Sequence, residues 1–418
     1  MGAARLVCKS WNQFFVDEFT KTEAGKEKLE KWRMGRLVLG WRDTEANMKK
    51  IGKARDEMET LYCDNNFVFC GHVDDISVYN LSSGAWVRDL RHDVELTDAD
   101  YWGPSTVVVG NKDVVVGVIK KKGRVVNIWD AKQLEQVHHI DLGEFKCLQG
   151  GVQVSGTKVT ILAFEELANQ RGPLASLIIA EKVEEGWETR TLANLTLEHG
   201  GLVASNGHFT AVTKKGHWEN GLEVKDTQIA LWRGDVMHEE EDIILPGRFG
   251  QVVTDIILEP PFIILSLCAL SEDTSGNVSI EVFSISSNPL MEEINSRGTL
   301  VKRISLPGTE GAPEEGRFIA NDFIVGYFQC HDWEEDTLVW WCEKRMLLNP
   351  DVSAKNTWTR ELRLPYDFSS INMNSTSLVA AKDAITFEHP GVAWTFDKPT
   401  MGDIHSINFL QKPARGVS

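Results

Sequence analysis

The sequence lacks the short motifs that mark the commonest kinds of enzyme. It contains no HExxH, no GxSxG and no HxE followed by CxxC, so the signatures of zinc proteases, serine hydrolases and zinc deaminases are all missing. The glycine pairs at 150–151 and 200–201 lack the surrounding residues of a phosphate-binding loop and are typical of turns. These absences favour a protein that is not an enzyme and that uses no metal and no cofactor.

Cysteine is scarce, and long apolar runs are missing. The seven cysteines include no CxxC pair, which predicts reduced, buried thiols rather than a disulfide framework. No apolar run approaches the roughly 20 residues of a membrane helix, and no signal-peptide pattern opens the sequence. We therefore expect an intracellular protein, cytoplasmic, nuclear or both, that does not bind membranes.

Basic charge is also in deficit. The 44 Lys and Arg against 61 Asp and Glu give a formal charge of -17, and the excess is uneven, with +3 over residues 1–60 and -20 over residues 61–418. Nonspecific nucleic-acid binding depends largely on basic groups that neutralise phosphates. The acidic body therefore disfavours nucleic acid as a partner.

What the sequence does contain is a repeated pair of strands. Val125–Asp130 is a short apolar strand that ends in Trp-Asp, and a polar turn separates it from a second strand at Val137–Leu142. The same pattern recurs along most of the chain. Its equivalent positions are Tyr79, Trp129, Ala180, Trp232, Phe283, Trp341 and Phe396. Successive separations are 50, 51, 52, 51, 58 and 55 residues.

A period of about fifty residues lies within the range of β-propeller blades, and each strand pair fits the third and outermost strands of one blade. The sequence thus predicts an all-β fold, a seven-bladed, WD-repeat-like β-propeller over residues 61–412. Val114–Ile119 is continuously apolar, as expected of a strand packed between neighbouring blades. In the last predicted blade, Val392–Phe396 and Ile404–Leu410 are the third and outermost strands. Whether Arg36–Trp41 joins the ends of the ring is left open.

The first sixty residues follow a different pattern. Apolar residues between Ala3 and Phe19 recur at spacings of three and four, which is typical of a helix with one buried face. A second, more charged helix is predicted over Thr22–Trp32. The propeller is therefore expected to follow a short α-helical N-terminal segment at 1–35 and a linker at 36–60.

The first of these helices contains a recognisable stretch. Val7-Cys8-Lys9-Ser10-Trp11 resembles the closing helix of an F-box, and Trp32-Arg33 is similar to a Trp-Arg pair that lies downstream in that family. The resemblance is limited to the N-terminal segment. The alternative is that these residues only pack a helix against the propeller.

The resemblance to an F-box implies a partner. In that family the motif docks onto a Skp-family adaptor within a cullin-RING ubiquitin ligase, so the adaptor-binding residues here would be Leu6, Val7, Cys8 and Trp11. The opening half of the motif, with its Leu-Pro start, would precede Met1. We expect either that the chain begins late or that this product has lost adaptor docking, and the first alternative is favoured.

The loops that follow the second strand of each blade should emerge on one rim, where binding residues are common. Two of these loops are basic on an otherwise acidic body, and a third is acidic and contains a tryptophan. The candidate partner-binding residues are Lys120, Lys121, Lys122, Arg124, Lys214, Lys215, Trp218 and Trp333. Lysine and arginine pair with phosphate or carboxylate groups and tryptophan anchors interfaces, which predicts an acidic or phosphorylated peptide as ligand. The alternative for residues 120–124 is a solvated hairpin turn.

Three functions follow from these observations. The first is substrate recognition for an SCF-type cullin-RING E3 ubiquitin ligase, with the propeller holding the target protein. The alternative is a propeller scaffold for protein-protein interaction in another complex. The third is a propeller hydrolase, which would need carboxylates converging from the inner strands, and those strands are mainly Val, Ile, Phe and Ala.

Overall fold

The computed structural model describes the chain in segments. They are residues 48–53, 60–63, 66–72, 75–80, 83–91, 106–119, 124–167, 170–197, 201–215, 226–234, 240–247, 251–269, 279–288, 292–305, 317–320, 323–328, 337–343, 347–349, 359–364, 378–381, 384–389 and 403–408. The predicted helical segment at 1–35 lies outside these residues. Among the described residues, no helix is long and apolar enough to cross a membrane.

The described segments form seven four-stranded antiparallel sheets, and six of these sheets use strands that are consecutive in sequence. Sheet 1 contains β2 (Thr60–Cys63), β3 (Phe67–Gly71), β4 (Asp75–Asn80) and β5 (Trp86–Arg91). Sheet 2 contains β6 (Thr106–Gly110), β7 (Val114–Ile119), β8 (Val125–Asp130) and β9 (Gln136–Asp141). Sheet 3 contains β10 (Phe145–Ser155), β11 (Lys158–Leu167), β12 (Gln170–Val183) and β13 (Gly186–Thr196). Sheet 4 contains β14 (Val203–Ser205), β15 (Phe209–Lys215), β16 (Thr227–Arg233) and β17 (Glu240–Leu245). Sheet 5 contains β18 (Gln251–Glu259), β19 (Phe262–Ala269), β20 (Ser279–Ser284) and β21 (Thr299–Ser305). Sheet 6 contains β22 (Arg317–Ala320), β23 (Phe323–Phe328), β24 (Thr337–Glu343) and β25 (Thr359–Leu364).

The seventh sheet combines strands from the two ends of the described chain. Its order is β26 (Leu378–Ala381), β27 (Ala384–His389), β28 (Asp403–Asn408) and finally β1 (Met48–Lys53). β1 pairs antiparallel with β28, with Met48 opposite Ile407 and Lys53 opposite Asp403. A strand from before the first sheet therefore completes the last one.

This closure corrects the assignment of the last blade. The third strand is Asp403–Asn408 rather than Val392–Phe396, and the outermost strand is Met48–Lys53 rather than Ile404–Leu410. β1 also falls within residues 36–60, which were predicted to form a linker. The repeat pattern missed it because the strand that pairs with the outer side of β28 comes from the other end of the chain. Phe396 and Arg36–Trp41 lie outside the described residues.

The sheets follow one another around a closed path. The first strand of each sheet lies beside the first strand of the next, in the order β2, β6, β10, β14, β18, β22 and β26, and β26 lies beside β2 again. Four-stranded antiparallel sheets arranged radially in this way are the architecture of a β-propeller. The all-β prediction is confirmed for the described residues.

The apolar core lies between neighbouring sheets. One continuous cluster joins buried residues of sheet 2, such as Val116 and Ile128, to Ile161 of sheet 3. Every residue of β7 is buried, which confirms the prediction for Val114–Ile119. Trp129 of β8 and Trp232 of β16, two of the equivalent positions of the repeat, are both buried.

The two cysteines whose side chains are described agree with the expectation of reduced thiols. Cys70 and Cys147 are buried and are not part of a disulfide. Burial raises the pKa of the Cys147 thiol to about 12, because removal from water disfavours the thiolate. At neutral pH this thiol is protonated, so it is not a nucleophile.

Candidate protein-binding groove

The candidate binding residue on the described surface is Trp86, the first residue of β5, and it is strongly exposed. A tight hairpin positions it: Gly84 adopts a φ of 72°, a conformation that glycine reaches without strain. The backbone N–H of Gly84 donates to the Asn80 carbonyl at 2.8 Å, and the Asn80 N–H donates to the Ala85 carbonyl at 2.8 Å. The Asn80 side-chain oxygen also accepts from the Ser83 N–H at 2.9 Å. The turn chemistry therefore fixes where β5 begins.

A β-bulge follows the hairpin. Tyr79 of β4 lies opposite Trp86, whereas Val78 lies opposite Arg88, so Val87 has no opposite residue. A bulge of this kind breaks the alternation of side chains and re-aims them. Both Trp86 and Val87 are consequently exposed, at 58% and 38% of their surface.

One hydrogen bond holds the indole ring against Asp89, and a second one holds Asp89 itself. The Trp86 Nε1–H donates to Asp89 Oδ1 at 3.0 Å, and the Ser77 hydroxyl donates to the same oxygen at 2.8 Å. The polar edge of the ring is thereby satisfied while its apolar surface remains in water. Among the described large apolar residues, Trp86 is the most exposed.

Trp86 forms one wall of a groove of about 580 Å³ between sheets 1 and 2. The buried side chains of Leu90, Trp129 and Leu134 line it from below. Leu134 lies in the hairpin between β8 and β9 with a φ of 58°, a conformation that costs a leucine roughly 1–2 kcal/mol. Its side chain is 5% exposed, so burial among its neighbours offsets this strain. The groove therefore has an apolar base that is built by both sheets.

The rim of the groove carries charge of both signs. Arg88, Arg91 and Glu135 are exposed and line it, and none of them forms an ion pair with another described residue. Asp89 also lines it, but its Oδ1 already accepts two hydrogen bonds. The two donors to Asp89 are neutral, so its negative charge remains, and two guanidinium groups and two carboxylates give the rim no net charge. The guanidinium groups are nevertheless available to a partner, because neither forms an ion pair with a described residue.

One of the predicted partner-binding lysines is engaged within its own sheet. Lys214 of β15 forms ion pairs with Glu240 and with Asp242 of β17, the latter at 2.9 Å. Burial lowers the pKa of Lys214, but hydrogen bonds and attraction from the two carboxylates outweigh this and raise it above its usual value. The Lys214 charge is thus balanced inside sheet 4.

The other predicted site residues are placed only in part. Arg124 is exposed immediately before β8, and Lys215 ends β15. The remaining ones lie outside the described residues: Leu6, Val7, Cys8, Trp11, Lys120, Lys121, Lys122, Trp218 and Trp333. Trp86 was not among the predicted partner-binding residues. The available signal was the adjacent apolar pair Trp86-Val87, which does not fit the alternation of a solvated strand.

Nothing in the described part of the chain gathers ligands for a metal. No group of three or more His, Cys, Asp and Glu side chains there is close enough to hold an ion. The buried carboxylate of Glu281 pairs with Arg303, so it serves the structure of sheet 5. His138 is half-buried and stacks on Trp187, with ring centroids 5.8 Å apart, and its Nε2 lies 2.8 Å from the Thr189 hydroxyl.

Comparison with known proteins gives no family. No protein-family model matches the chain, and no curated protein matches it. Solved structures with similar strand arrangement include the β-propeller domain of Cps50 (Swd1) from Myceliophteria thermophila, at 9% identity and a TM-score of 0.49, covering 84% of this chain and 96% of that one. The WD40 domain of SCAP from fission yeast has 9% identity and a TM-score of 0.37, covering 87% and 98%. Hsv2 of Kluyveromyces lactis has 11% identity and a TM-score of 0.34, covering 73% and 98%. The class of the fold therefore rests on the strand order and ring contacts of this chain.

Proposed function

We propose that this chain is a seven-bladed β-propeller that binds another protein through the groove beside Trp86 and has no catalytic activity of its own. The observation that carries the proposal is an exposed tryptophan, held by a hydrogen bond to Asp89, beside a groove with an apolar base. The seven sheets and the closed order of their first strands support the blade count. The proposed location is inside the cell.

The energy of such a site comes mainly from the tryptophan. A tryptophan side chain presents roughly 150–250 Å², and at about 25 cal/mol per Å² covering the exposed part of Trp86 is worth about 3 kcal/mol. The hydrogen bond from the indole to Asp89 already orients the ring, so a partner loses little additional entropy when it packs there. Exposed, pre-oriented tryptophans are frequent hot spots in protein interfaces.

The proposal can be tested with three forms of the full chain. The wild type, Trp86→Ala and Leu174→Ser are compared by affinity purification after cross-linking. Leu174 is 47% exposed on β12 and lies away from the groove, so its replacement is a matched control for the loss of an exposed apolar side chain. We expect specific partners to be recovered with the wild type and the control and lost with Trp86→Ala. Identical recovery with all three forms would contradict the proposal.

A narrower function is proposed from the N-terminal segment. The resemblance of Val7–Trp11 to an F-box supports a substrate-recognition subunit of a cullin-RING ubiquitin ligase, in which the propeller holds the target and a Skp-family adaptor binds the helix. The experiment is co-purification of the adaptor with the full native product and with its Trp11→Ala variant. Recovery that depends on Trp11 supports ligase membership. Absence of the adaptor from the wild-type sample leaves the scaffold function and removes the ligase function.

A further inference from the structure

The bulge that exposes Trp86 occurs at the same place in three sheets. In sheet 2, Trp129 lies opposite Gln136 and Ile128 opposite His138, so Val137 has no opposite residue. In sheet 5, Phe283 lies opposite Leu300 and Val282 opposite Lys302, which leaves out Val301. Each bulge follows the connection between the third and fourth strands, and the extra residue is valine in all three sheets. The device is therefore a repeated part of this propeller, and sheet 1 differs only in the residues that it presents.

The residue before the bulge is the first difference. It is Trp86 in sheet 1, Gln136 in sheet 2 and Leu300 in sheet 5. Only sheet 1 thus uses the re-aimed position for a large aromatic ring, and only there does the pocket include that ring. An interface anchor is the use that best fits this choice, because exposed tryptophan is otherwise disfavoured in water.

The charges after the bulge are the second difference. Arg88 and Arg91 occupy positions one and four residues beyond the bulge in sheet 1. In sheet 5 the basic residue one position beyond it is Lys302, which is buried and donates to the Asn349 carbonyl at 2.7 Å. Arg88 and Arg91 instead are exposed and form no ion pair with a described residue. Sheet 1 therefore presents two available guanidinium groups beside the groove.

We propose that the groove binds an extended acidic segment of a partner protein, in which one bulky apolar side chain enters the groove and flanking carboxylates pair with Arg88 and Arg91. This inference rests on the proposed protein-binding function and specifies the chemistry of its partner. Guanidinium groups bind carboxylates through paired, charge-assisted hydrogen bonds. Glu135, on the opposite wall, disfavours a carboxylate there and so orients the segment towards β5.

The spacing of the two arginines sets the spacing of the acidic residues. Three residues along a strand span about 10 Å, and residues three apart project to opposite faces. Arg88 lies opposite Val78 and Arg91 opposite Asp75, so the two arginines leave opposite faces of β5. In an extended partner segment that runs along β5, carboxylates three residues apart have the same arrangement. The apolar side chain between them enters the groove on the face that Arg88 and Leu90 share. The net charge of -17 repels an acidic partner at long range, so the local pairs must act at short distance where screening is weak.

The experiment uses a fluorescein-labelled synthetic peptide with two glutamates three residues apart and a phenylalanine between them, titrated with the full chain. A second peptide replaces both glutamates with lysine, and a third replaces them with phosphoserine. We expect the glutamate peptide to bind at least about tenfold more tightly than the lysine peptide. The charge-reversed protein Arg88→Glu with Arg91→Glu should invert this preference, because both residues are exposed and their replacement leaves the core intact.

A deletion tests the role of the bulge. Removal of Val87 makes β5 regular, because Tyr79 and Val78 are consecutive and already lie opposite Trp86 and Arg88. The side chain of Trp86 then returns to the ordinary alternation of the strand instead of the direction that the bulge gives it. We expect it to abolish binding of the glutamate peptide. Deletion of Val301, the equivalent residue in sheet 5, is the matched control and should leave the affinity unchanged. Circular dichroism of both variants reports whether the fold is intact, and the charge-reversed protein tests the proposal without a deletion.

The outcomes separate the two levels of the proposal. Equal or tighter binding of the lysine peptide overturns the acidic chemistry. Binding of the phosphoserine peptide alone overturns the assignment of carboxylates as the groups that pair with the arginines. If the lysine peptide or the phosphoserine peptide binds wild type but does not bind Trp86→Ala, the groove remains the protein-binding site. Failure of all three peptides to bind, together with partner recovery that depends on Trp86, overturns only the chemistry of the partner. Failure of both measurements removes the protein-binding function itself.

Discussion

The outer edges of sheets 1 and 4 face the same physical problem and solve it differently. An outermost strand exposes unpaired backbone groups that invite other strands to pair. β17 of sheet 4 is regular, with every residue from Glu240 to Leu245 opposite a residue of β16, and residues 292–298 lie beside it. The N–H of Ile244 donates to the Ser296 carbonyl and the N–H of Gly298 donates to the Ile244 carbonyl, both at 2.9 Å.

Sheet 1 interrupts its edge instead of covering it. The bulge at Val87 breaks the ladder between β4 and β5, and no described strand pairs with the outer side of β5. A bulge discourages further strand pairing, so this edge needs no intramolecular cover. The comparison indicates that the way in which an edge is protected decides whether its side chains remain available to a partner.

The largest expected effect is on the covered edge. Gly298 is buried, and a Cβ at this position would lie 2.3 Å from Leu245 Cδ2. Gly298→Val should therefore destabilise the protein by about 2–3 kcal/mol through overpacking, as measured by urea denaturation. It should also make the edge of sheet 4 resemble the open edge of sheet 1. Ser296→Ala, which keeps the backbone hydrogen bond to Ile244, is the control, and equal stability of the two variants would refute the account of this edge.

The next effect concerns the open edge. Asp89→Ala removes the acceptor for both the Trp86 indole and the buried Ser77 hydroxyl. Loss of these hydrogen bonds should cost about 1–2 kcal/mol of stability and weaken binding of the glutamate peptide, because the ring is no longer held upright. Asp89→Asn retains an acceptor oxygen and should recover most of the affinity. If Asp89→Ala bound as tightly as wild type, orientation of Trp86 would not matter.

A smaller effect is predicted for the ion pairs that tie β15 to the covered edge. Lys214→Met should cost about 0.5–1 kcal/mol at neutral pH, since these pairs are partly exposed to water. The pKa of Lys214 is raised in the folded state, so its contribution is complete below the unfolded value of about 10.4 and is lost as the pH rises through the folded value. The stability difference between wild type and variant should therefore shrink in alkaline solution. A difference that stays constant with pH would contradict this assignment.

The smallest effect concerns the histidine that covers Trp187, a second tryptophan of an outer strand. Trp187 of β13 is covered by His138, whereas Trp86 is open. Burial and then the neighbouring His139 lower the pKa of His138, so its contribution to stability is present above the usual value of about 6.5 and is lost as the pH falls through the folded value. His138→Gln should therefore reduce the loss of stability in mildly acidic solution. The same acid sensitivity in both proteins would show that other groups are responsible.

Much of the fold could be predicted from local sequence, and the exceptions have physical reasons. Six strand pairs were recognisable because the apolar strand, the turn and the outer strand are adjacent in the chain. The last sheet was misassigned because β1 lies at the other end of the chain, where periodicity carries no information about pairing. Lys214 looked like a free loop cation because its partners Glu240 and Asp242 lie on a strand two positions away in the sheet.

The groove was harder to predict than the strands around it. Whether Trp86 faces the core or water depends on a one-residue bulge that is defined only by its pairing with Tyr79 and Val78. The lining also comes from two sheets, so no single stretch of sequence contains it. From sequence alone, Leu90 and Leu134 at the base of the groove cannot be told from ordinary core residues, and both are buried.

Hydroxyl-radical footprinting of the full chain, with and without the glutamate peptide, is the most direct test. In the free protein, Trp86 should be the most strongly oxidised of the tryptophans whose side chains the structure describes, because more than half of its surface is in water. Addition of the peptide should suppress oxidation of Trp86 and leave the exposed side chains of Leu174 and Ile244 unchanged. Saturation with the peptide at unaltered Trp86 oxidation would contradict the account.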